Sequence, residues 1–356
     1  MSWTILQVAY PFAPVGPDAV GGAEQVLSLL DRALTAAGHT SLVIATEGSA
    51  VAGTLLPVPA ETGRLDDAVK ARGRAQHRAT IEAALQAWPV DLVHLHGLDF
   101  WAYRPAGVPM LATLHLPPGW YPEEAWRPDP HLFLNPVSGA QARACPPGAR
   151  LLEPIANGVP VEALAAEPDR AREDFCLVLG RICPEKGIHL ALEAARLAGV
   201  TLLVGGAVFP YAEHERYFAE EVRPRLDAHR RFLGPLGFAQ KRDLLSRAKA
   251  LLVPSLAPET SSLVAMEALA CGTPVIAFPA GALPEIVEPG ETGFLVDGVE
   301  AMARAIGRAD EIDRRHCRRV ARERFSGGRM AQGYFAAYRA ILDRVAGRRE
   351  PVGVLP

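Results

Sequence analysis

The sequence predicts an α/β protein made of two doubly wound domains. Three observations carry this. The chain has 356 residues, more than one ordinary core accommodates, so two domains of roughly 150–200 residues are expected. Short apolar runs rich in β-formers alternate with stretches of helical periodicity, the grammar of a parallel sheet covered on both faces. The alternation occurs twice, on either side of "EPIANGVPVEAL" (153–164), where Pro154, Asn157, Gly158 and Pro160 interrupt it.

In the first half "TILQVAY" reads as a strand. "AEQVLSLLDRALTAAG" is a helix with Val26, Leu29, Leu30, Ala33, Leu34 and Ala37 at helical spacing and Gly38 closing it. "TSLVIAT" is a strand, "RLDDAVKARGRAQHRATIEAALQAW" a helix, and "DLVHLHG", "VPMLATLHL" and "HLFLNPVSG" are strands. The second half gives strand "DFCLVLGRI", helix "GIHLALEAARLAG", strand "VTLLVGG", helix "HERYFAEEVRPRLDAH", strand and loop "RFLGPLG", helix "QKRDLLSRA" and strand "KALLVPS". Helix "SSLVAMEALACG" and strand "TPVIAF" follow, and the tail reads as helical from about Val299 to Ala346. Ligands of such sheets bind at strand carboxyl ends and helix N-termini, and a cleft between the domains is the expected site.

Composition narrows the function. Apolar residues are 49% and charged residues 22%, which excludes a disordered chain, and the net charge of −3 gives no reason to expect nucleic acid. The five cysteines, Cys145, Cys176, Cys183, Cys271 and Cys317, are odd in number and lack C-x-x-C spacing, so reduced thiols and a cytoplasmic location are expected. "MSWTILQVAYPF" has no basic segment before its apolar run and reads as a first strand, not a signal peptide. No apolar run reaches the ~18 residues of a membrane span. Two basic stretches, Lys70–Arg78 and Arg314–Arg324, read as solvated helix faces; the first could also meet an anionic acceptor or, peripherally, the inner face of a membrane.

Four motifs carry chemistry. In "PETSSLVAMEALACGTPVIA" (258–277), Glu259 lies on the loop after a strand and Glu267 one and a half turns into the next helix. The first-turn amides near Ser262, Leu263 and Val264 suit a diphosphate, and a carboxylate at 267 is costly unless paired. The ordinary reading is a capping glutamate plus an exposed helix glutamate. "GRICPEKG" (180–187) sets Arg181 and Lys186 at a strand end, where two cations can hold a diphosphate without a metal, or where two surface charges are simply solvated. "GGAEQ" (21–25) places Gly21 and Gly22 before a helix, so that amides can approach an anion; a flexible loop reads the same. His94, His96 and His115 end strands without ligand partners at metal spacing, so no metal is expected; His115, beside Pro117, Pro118 and Gly119, is best placed to touch a ligand.

Together these residues resemble the retaining, nucleotide-sugar-dependent glycosyltransferases of family 4, also described as glycosyl transferases group 1. "PETSSLVAMEALACGTPVIA" matches that family's E-x7-E element, "GRICPEKG" its GR-x-x-x-x-KG motif and "PIANGV" its interdomain segment. "GGAEQVLSLLDRALTAAGH" is similar to its glycine loop and first helix, and "ALPEIVEPGETGFLV" to its following run. Thr260, Ser261 and Ser262 stand where the family has x-F-G after the first glutamate.

The resemblance implies a GT-B fold, two Rossmann-like domains facing across a cleft. Residues 1–157, with a helix at about 330–346 crossing back, would take the acceptor; residues 158–329 would bind the nucleotide sugar. Glu267 would accept hydrogen bonds from the ribose hydroxyls, Glu259 would bind donor-sugar hydroxyls, and Arg181 and Lys186 would neutralise the leaving diphosphate. Gly21, Gly22 and the amides of Ser262 and Leu263 would meet the phosphates, Gly234 to Leu236 would lie against the base, and His115 would sit near the donor sugar. The nucleotide-diphosphate sugar is a co-substrate, with no cofactor and no metal. The acceptor would be a saccharide, a lipid-linked group or a small molecule, and loop aromatics Trp120, Tyr121 and Trp126 could stack on sugar. No carboxylate is nominated as nucleophile, since Glu24, Asp99, Glu123 and Glu124 lack motif support. A nucleotide-sugar 2-epimerase, a phosphorylase and a non-catalytic binding protein remain open alternatives.

Overall fold

Parallel strands buried on both faces need near-continuous apolar sequence, and every central strand of this protein has it. The computed structural model describes residues 2–61, 65–165 and 171–347. It divides into two compact units: the described residues through Gly158 together with those from Gly327 onward, and Val159–Ser326.

The first unit alternates β1 (Thr4–Val8), α1 (Gly22–Ala36), β2 (Thr40–Thr46), β3 (Thr54–Val58), α2 (Asp67–Ala87), β4 (Leu92–Leu95), β5 (Met110–Leu114), β6 (Leu132–Pro136) and the short α3 (Gly139–Ala144). Its six strands are parallel in the order β3-β2-β1-β4-β5-β6. The second unit runs α4 (Val161–Leu164), β7 (Phe175–Leu179), α5 (Ile188–Ala198), β8 (Thr201–Gly205), α6 (Ala212–Tyr217), β9 (Arg230–Gly234), α7 (Phe238–Arg247), β10 (Ala250–Val253), α8 (Leu263–Ala270), β11 (Val275–Ala277), α9 (Leu283–Ile286), β12 (Gly293–Leu295), α10 (Val299–Gly307) and α11 (Arg314–Phe325). Its sheet order is β12-β11-β10-β7-β8-β9, the same doubly wound plan. The chain then returns to the first unit as α12 (Gly327–Val345). The tail is therefore not one helix: the Asp313 side chain caps the Arg315 amide at the start of α11, and Ser326 separates α11 from α12.

α12 is anchored by a buried polar network. Tyr338 meets His94 Nδ1 at 2.7 Å, Thr113 meets His94 Nε2 at 2.8 Å, and Tyr334 bonds Thr113 and Asn135. Both histidine nitrogens are engaged, which makes His94 a core residue. The basic stretches are solvated in part: Arg72, Arg78, Arg315, Arg319 and Arg322 are exposed, and the others are drawn into the structure. Arg74 pairs with the buried Asp99, Arg72 with Glu61, and Arg78 donates to the Ala102 carbonyl. In α11, Arg314 reaches the carbonyls of Ser246 and Cys271, and Arg324 pairs with Glu288. Of the loop aromatics, Trp120 is exposed, whereas Tyr121 is buried and Trp126 packs against it. All five cysteines are free, and no helix among the described residues is long and apolar enough to cross a membrane.

Four histidines of the first unit are held neutral by burial. His77 and His115 are pushed down to about 4, and His94 and His96 well below the ordinary value of 6.5. The unfolded chain binds these protons below pH ~6.5, while in the folded unit His77 and His115 do so only near pH ~4 and His94 and His96 are shifted in the same direction. The contribution of His77 and His115 is full above pH ~6.5 and is lost as pH falls toward ~4, at about 1.4 kcal/mol per pH unit for each of the two. Urea denaturation across this window should show a falling midpoint; a flat midpoint would contradict the burial assigned here.

Candidate active site

In a doubly wound sheet, the crevice opens where the strand order reverses. In the second unit that point lies between β7 and β10, which pair directly. The two strongest sequence motifs follow these two strands. Gly180–Gly187 leaves β7, and Pro254–Ser262 leaves β10.

Close backbone approach brings the two loops together. Gly187 has φ +61°, and a Cβ there would lie 2.2 Å from the Pro254 carbonyl oxygen, so a side chain is excluded both by conformation and by space. The Glu185 carbonyl accepts from the Leu256 amide at 2.8 Å. On the far side Gly281 abuts the backbone of Glu259, and the Ala282 amide donates to the Glu259 carbonyl at 2.7 Å. Glu259 is thereby fixed as backbone before its side chain is considered.

The side chains then pair. Lys186 Nζ lies 2.6 Å from Glu259 Oε1, which also accepts from Ser255 Oγ at 2.5 Å. Arg181 is exposed, directly after β7 and Gly180. Glu267 is 2% exposed, not the solvated helix residue of the ordinary reading. Its Oε1 lies 2.5 Å from Lys241 Nζ on α7. Burial raises its pKa, opposed by Lys241. Its Oε2 is buried without a hydrogen-bond partner, as are the hydroxyls of Ser261 and Ser262. Ser262 is the N-cap of α8 but makes no side-chain cap, and the first amide to bond back to its carbonyl is Ala265. The first turn thus presents free amide direction, a positive dipole end and unsatisfied acceptor-donor groups, with Lys186 on the adjoining loop.

Gly234, with φ +75°, ends β9, and half-buried Leu236 packs over Gly205 at the end of β8. Both stand on the same carboxyl edge of the sheet. In the first unit Gly21 caps α1 and Gly22 begins it. The space over Gly21 is taken by the Glu24 carboxyl, 1.9 Å from where a Cβ would lie, so this helix end already carries an anion-forming group of its own chain. His115 stacks on His96, with 3.4 Å between ring nitrogens.

Sequence reading missed Lys241 and Ser255. The partner of Glu267 was required by its burial, but nothing in the spacing of "QKRDLLSRA" selects Lys241. The Glu259 hydroxyl partner lies four residues before it, on the strand-end turn.

Comparison with known proteins agrees with this architecture. Residues 20–146 match the family described as Glycosyltransferase Family 4, and residues 173–310 the family described as Glycosyl transferases group 1. The chain is 28% identical to a glycogen synthase of Mycobacterium tuberculosis, over 99% of this chain and 97% of that one. It is also 28% identical to a phosphatidyl-myo-inositol mannosyltransferase of Mycobacterium leprae, over 82% and 84%. The crystal structure of AviGT4, a glycosyltransferase involved in avilamycin A biosynthesis, is 25% identical with a TM-score of 0.71, covering 96% of this chain and 98% of that one. With the two matched segments spanning most of both units and each unit carrying the doubly wound sheet, the chain belongs to the group 1 glycosyltransferases of the family 4 type, with the GT-B fold.

Proposed function

We propose that the protein transfers a sugar from a nucleotide-diphosphate sugar to an acceptor hydroxyl with retention of anomeric configuration, and that no metal acts on the leaving group. The observation that carries this is the donor-type constellation at the β7/β10 crevice: Lys186 against Glu259, and the unpartnered oxygen of buried Glu267. A buried carboxylate oxygen is acceptor-only and calls for hydroxyl donors, which a ribose supplies. Lys186 and Arg181 are cations where a diphosphate would leave, and the α8 amides add donors.

Bond cleavage to the diphosphate develops positive charge on the sugar and negative charge on the leaving oxygens. Fixed cations at those oxygens act more strongly as that charge grows, so they lower the barrier instead of only tightening binding. Glu259 is held by Ser255 as well as Lys186, so it keeps a partner when Lys186 turns to phosphate and stays placed for sugar hydroxyls. The departing phosphate oxygen is then the base for a hydroxyl attacking on the same face. Gly21, Gly22 and His115 enter the proposal through the family resemblance alone.

The relatives named above differ in the product or acceptor that their names give, one a glycogen synthase and one a phosphatidyl-myo-inositol mannosyltransferase. The chemistry common to them, glycosyl transfer, is what is carried over here; a saccharide or lipid-linked acceptor is consistent with both names. Proton NMR of the product formed from a panel of nucleotide sugars tests the proposal. An anomeric coupling matching that of the donor is expected. An inverted product, a free 2-epimer or a sugar phosphate would each overturn it.

A further inference from the structure

Beside the crevice, on the same β7 loop, stands a cluster that glycosyl transfer does not use. Cys183 precedes the single turn Pro184–Lys186, Glu185 lies within that turn, and His214 is on α6. One ligand-type atom from each, the Cys183 sulfur, a Glu185 carboxylate oxygen and a His214 ring nitrogen, all lie within 4.8 Å of one another. Cys183 is fully buried and His214 only 8% exposed. Glu185 Oε2 and His214 Nδ1 are both buried without a hydrogen-bond partner.

Each such atom has given up its hydrogen bonds to water without replacement, and native proteins rarely leave two of them in one small space. A shared cation satisfies both at once. Thiolate, imidazole and carboxylate form the mixed donor set that selects a borderline-soft divalent ion. Bonds of about 2.0–2.3 Å in a tetrahedron place ligand atoms about 3.3–3.7 Å apart, so side-chain rotation of about an ångström closes the site. Three protein ligands leave a fourth position for water.

We propose that Cys183, Glu185 and His214 form a zinc-type divalent metal site, separate from the transfer chemistry. Sequence spacing did not disclose it, because two ligands come from the segment after β7 and the third from α6, which follows β8, and only the sheet order makes these neighbours. Cys183 and Glu185 are in the turn that carries Lys186, so a bound ion fixes that turn and the loop it rests on. Arg181 and Lys186 remain the cations of the leaving group.

The test uses reduced, chelator-treated full-length protein titrated with Zn²⁺ alone and then with Co²⁺ alone. The expected result is a tight Zn²⁺ equivalent, and a Co²⁺ complex whose spectrum shows a thiolate-to-metal charge-transfer band. Cys183→Ala and His214→Ala should each weaken binding by about 100-fold or more, since even outer partners of a ligand are worth about 10–100-fold. If Cys183→Ala fails to fold, His214→Ala on the six-residue α6 carries the comparison. A wild-type Co²⁺ spectrum without the thiolate band, or Zn²⁺ affinity unchanged in His214→Ala, would overturn the proposal. Neither readout depends on donor or acceptor, so failure here leaves the proposed transfer activity untouched.

Discussion

Lys186→Ala is expected to lower kcat by about 10²–10³ while leaving the protein folded, because in the proposed mechanism it removes one preorganised charge from the leaving group. The side chain is about a quarter exposed, at 26%, and its single carboxylate partner keeps the Ser255 hydroxyl. The carboxylate left behind is only 10% exposed by side chain, with the Ser255 hydroxyl as its remaining partner, so the thermal midpoint should fall by several degrees without unfolding the protein. Steady-state kinetics with circular dichroism separate the two effects. A near wild-type kcat would remove Lys186 from the chemistry, and a collapsed melting curve would make it a structural residue instead. Arginine at the same position would restore charge but not the compact ammonium geometry, so partial rescue is expected.

Glu267→Ala is expected to act differently, weakening nucleotide binding and stability together. Glu267 is 2% exposed and Lys241 15% exposed by side chain, so deleting the carboxylate leaves an uncompensated, nearly buried ammonium, which costs about 3–5 kcal/mol. Hydrogen bonds to a charged group are worth about 1.5–3 kcal/mol, so loss of the proposed ribose acceptor should raise the nucleoside-diphosphate Kd by about 10–100-fold. The double variant Glu267→Gln with Lys241→Met should recover most of the stability and none of the affinity. Urea denaturation and calorimetric titration check the two halves. Restored affinity in the double variant would show that Glu267 serves only to neutralise Lys241.

How much of this was legible depended on whether a feature is local. The central strands were, since runs such as "FCLVL" and "ALLV" can only be buried. β3 was not: its sequence "TLLPV" contains Pro57, which argues against a strand, and it lies half exposed at the sheet edge without alternation. β12 is three residues long and reads as loop. The helix expected over "HERYFAEEVRPRLDAH" breaks into α6, a widened turn at Phe218–Val222 and a tight turn around Pro224, because proline removes a donor and ends the ladder. At the site, Glu259 and Lys186 were found as motifs, and their 2.6 Å pairing followed from the topology. Lys241 and the Cys183–Glu185–His214 cluster were not, because long-range packing across strand ends leaves no signature in spacing.

The most direct test of the central claim, that the second unit binds the nucleotide diphosphate of a sugar donor through its own cations, is thermal stabilisation of the full chain by uridine, guanosine and adenosine diphosphates, each with and without Mg²⁺. A clear upward shift with at least one nucleotide is expected, equal in the two conditions and smaller in Glu267→Gln. No shift with any nucleotide, or a shift that appears only with Mg²⁺, would contradict it.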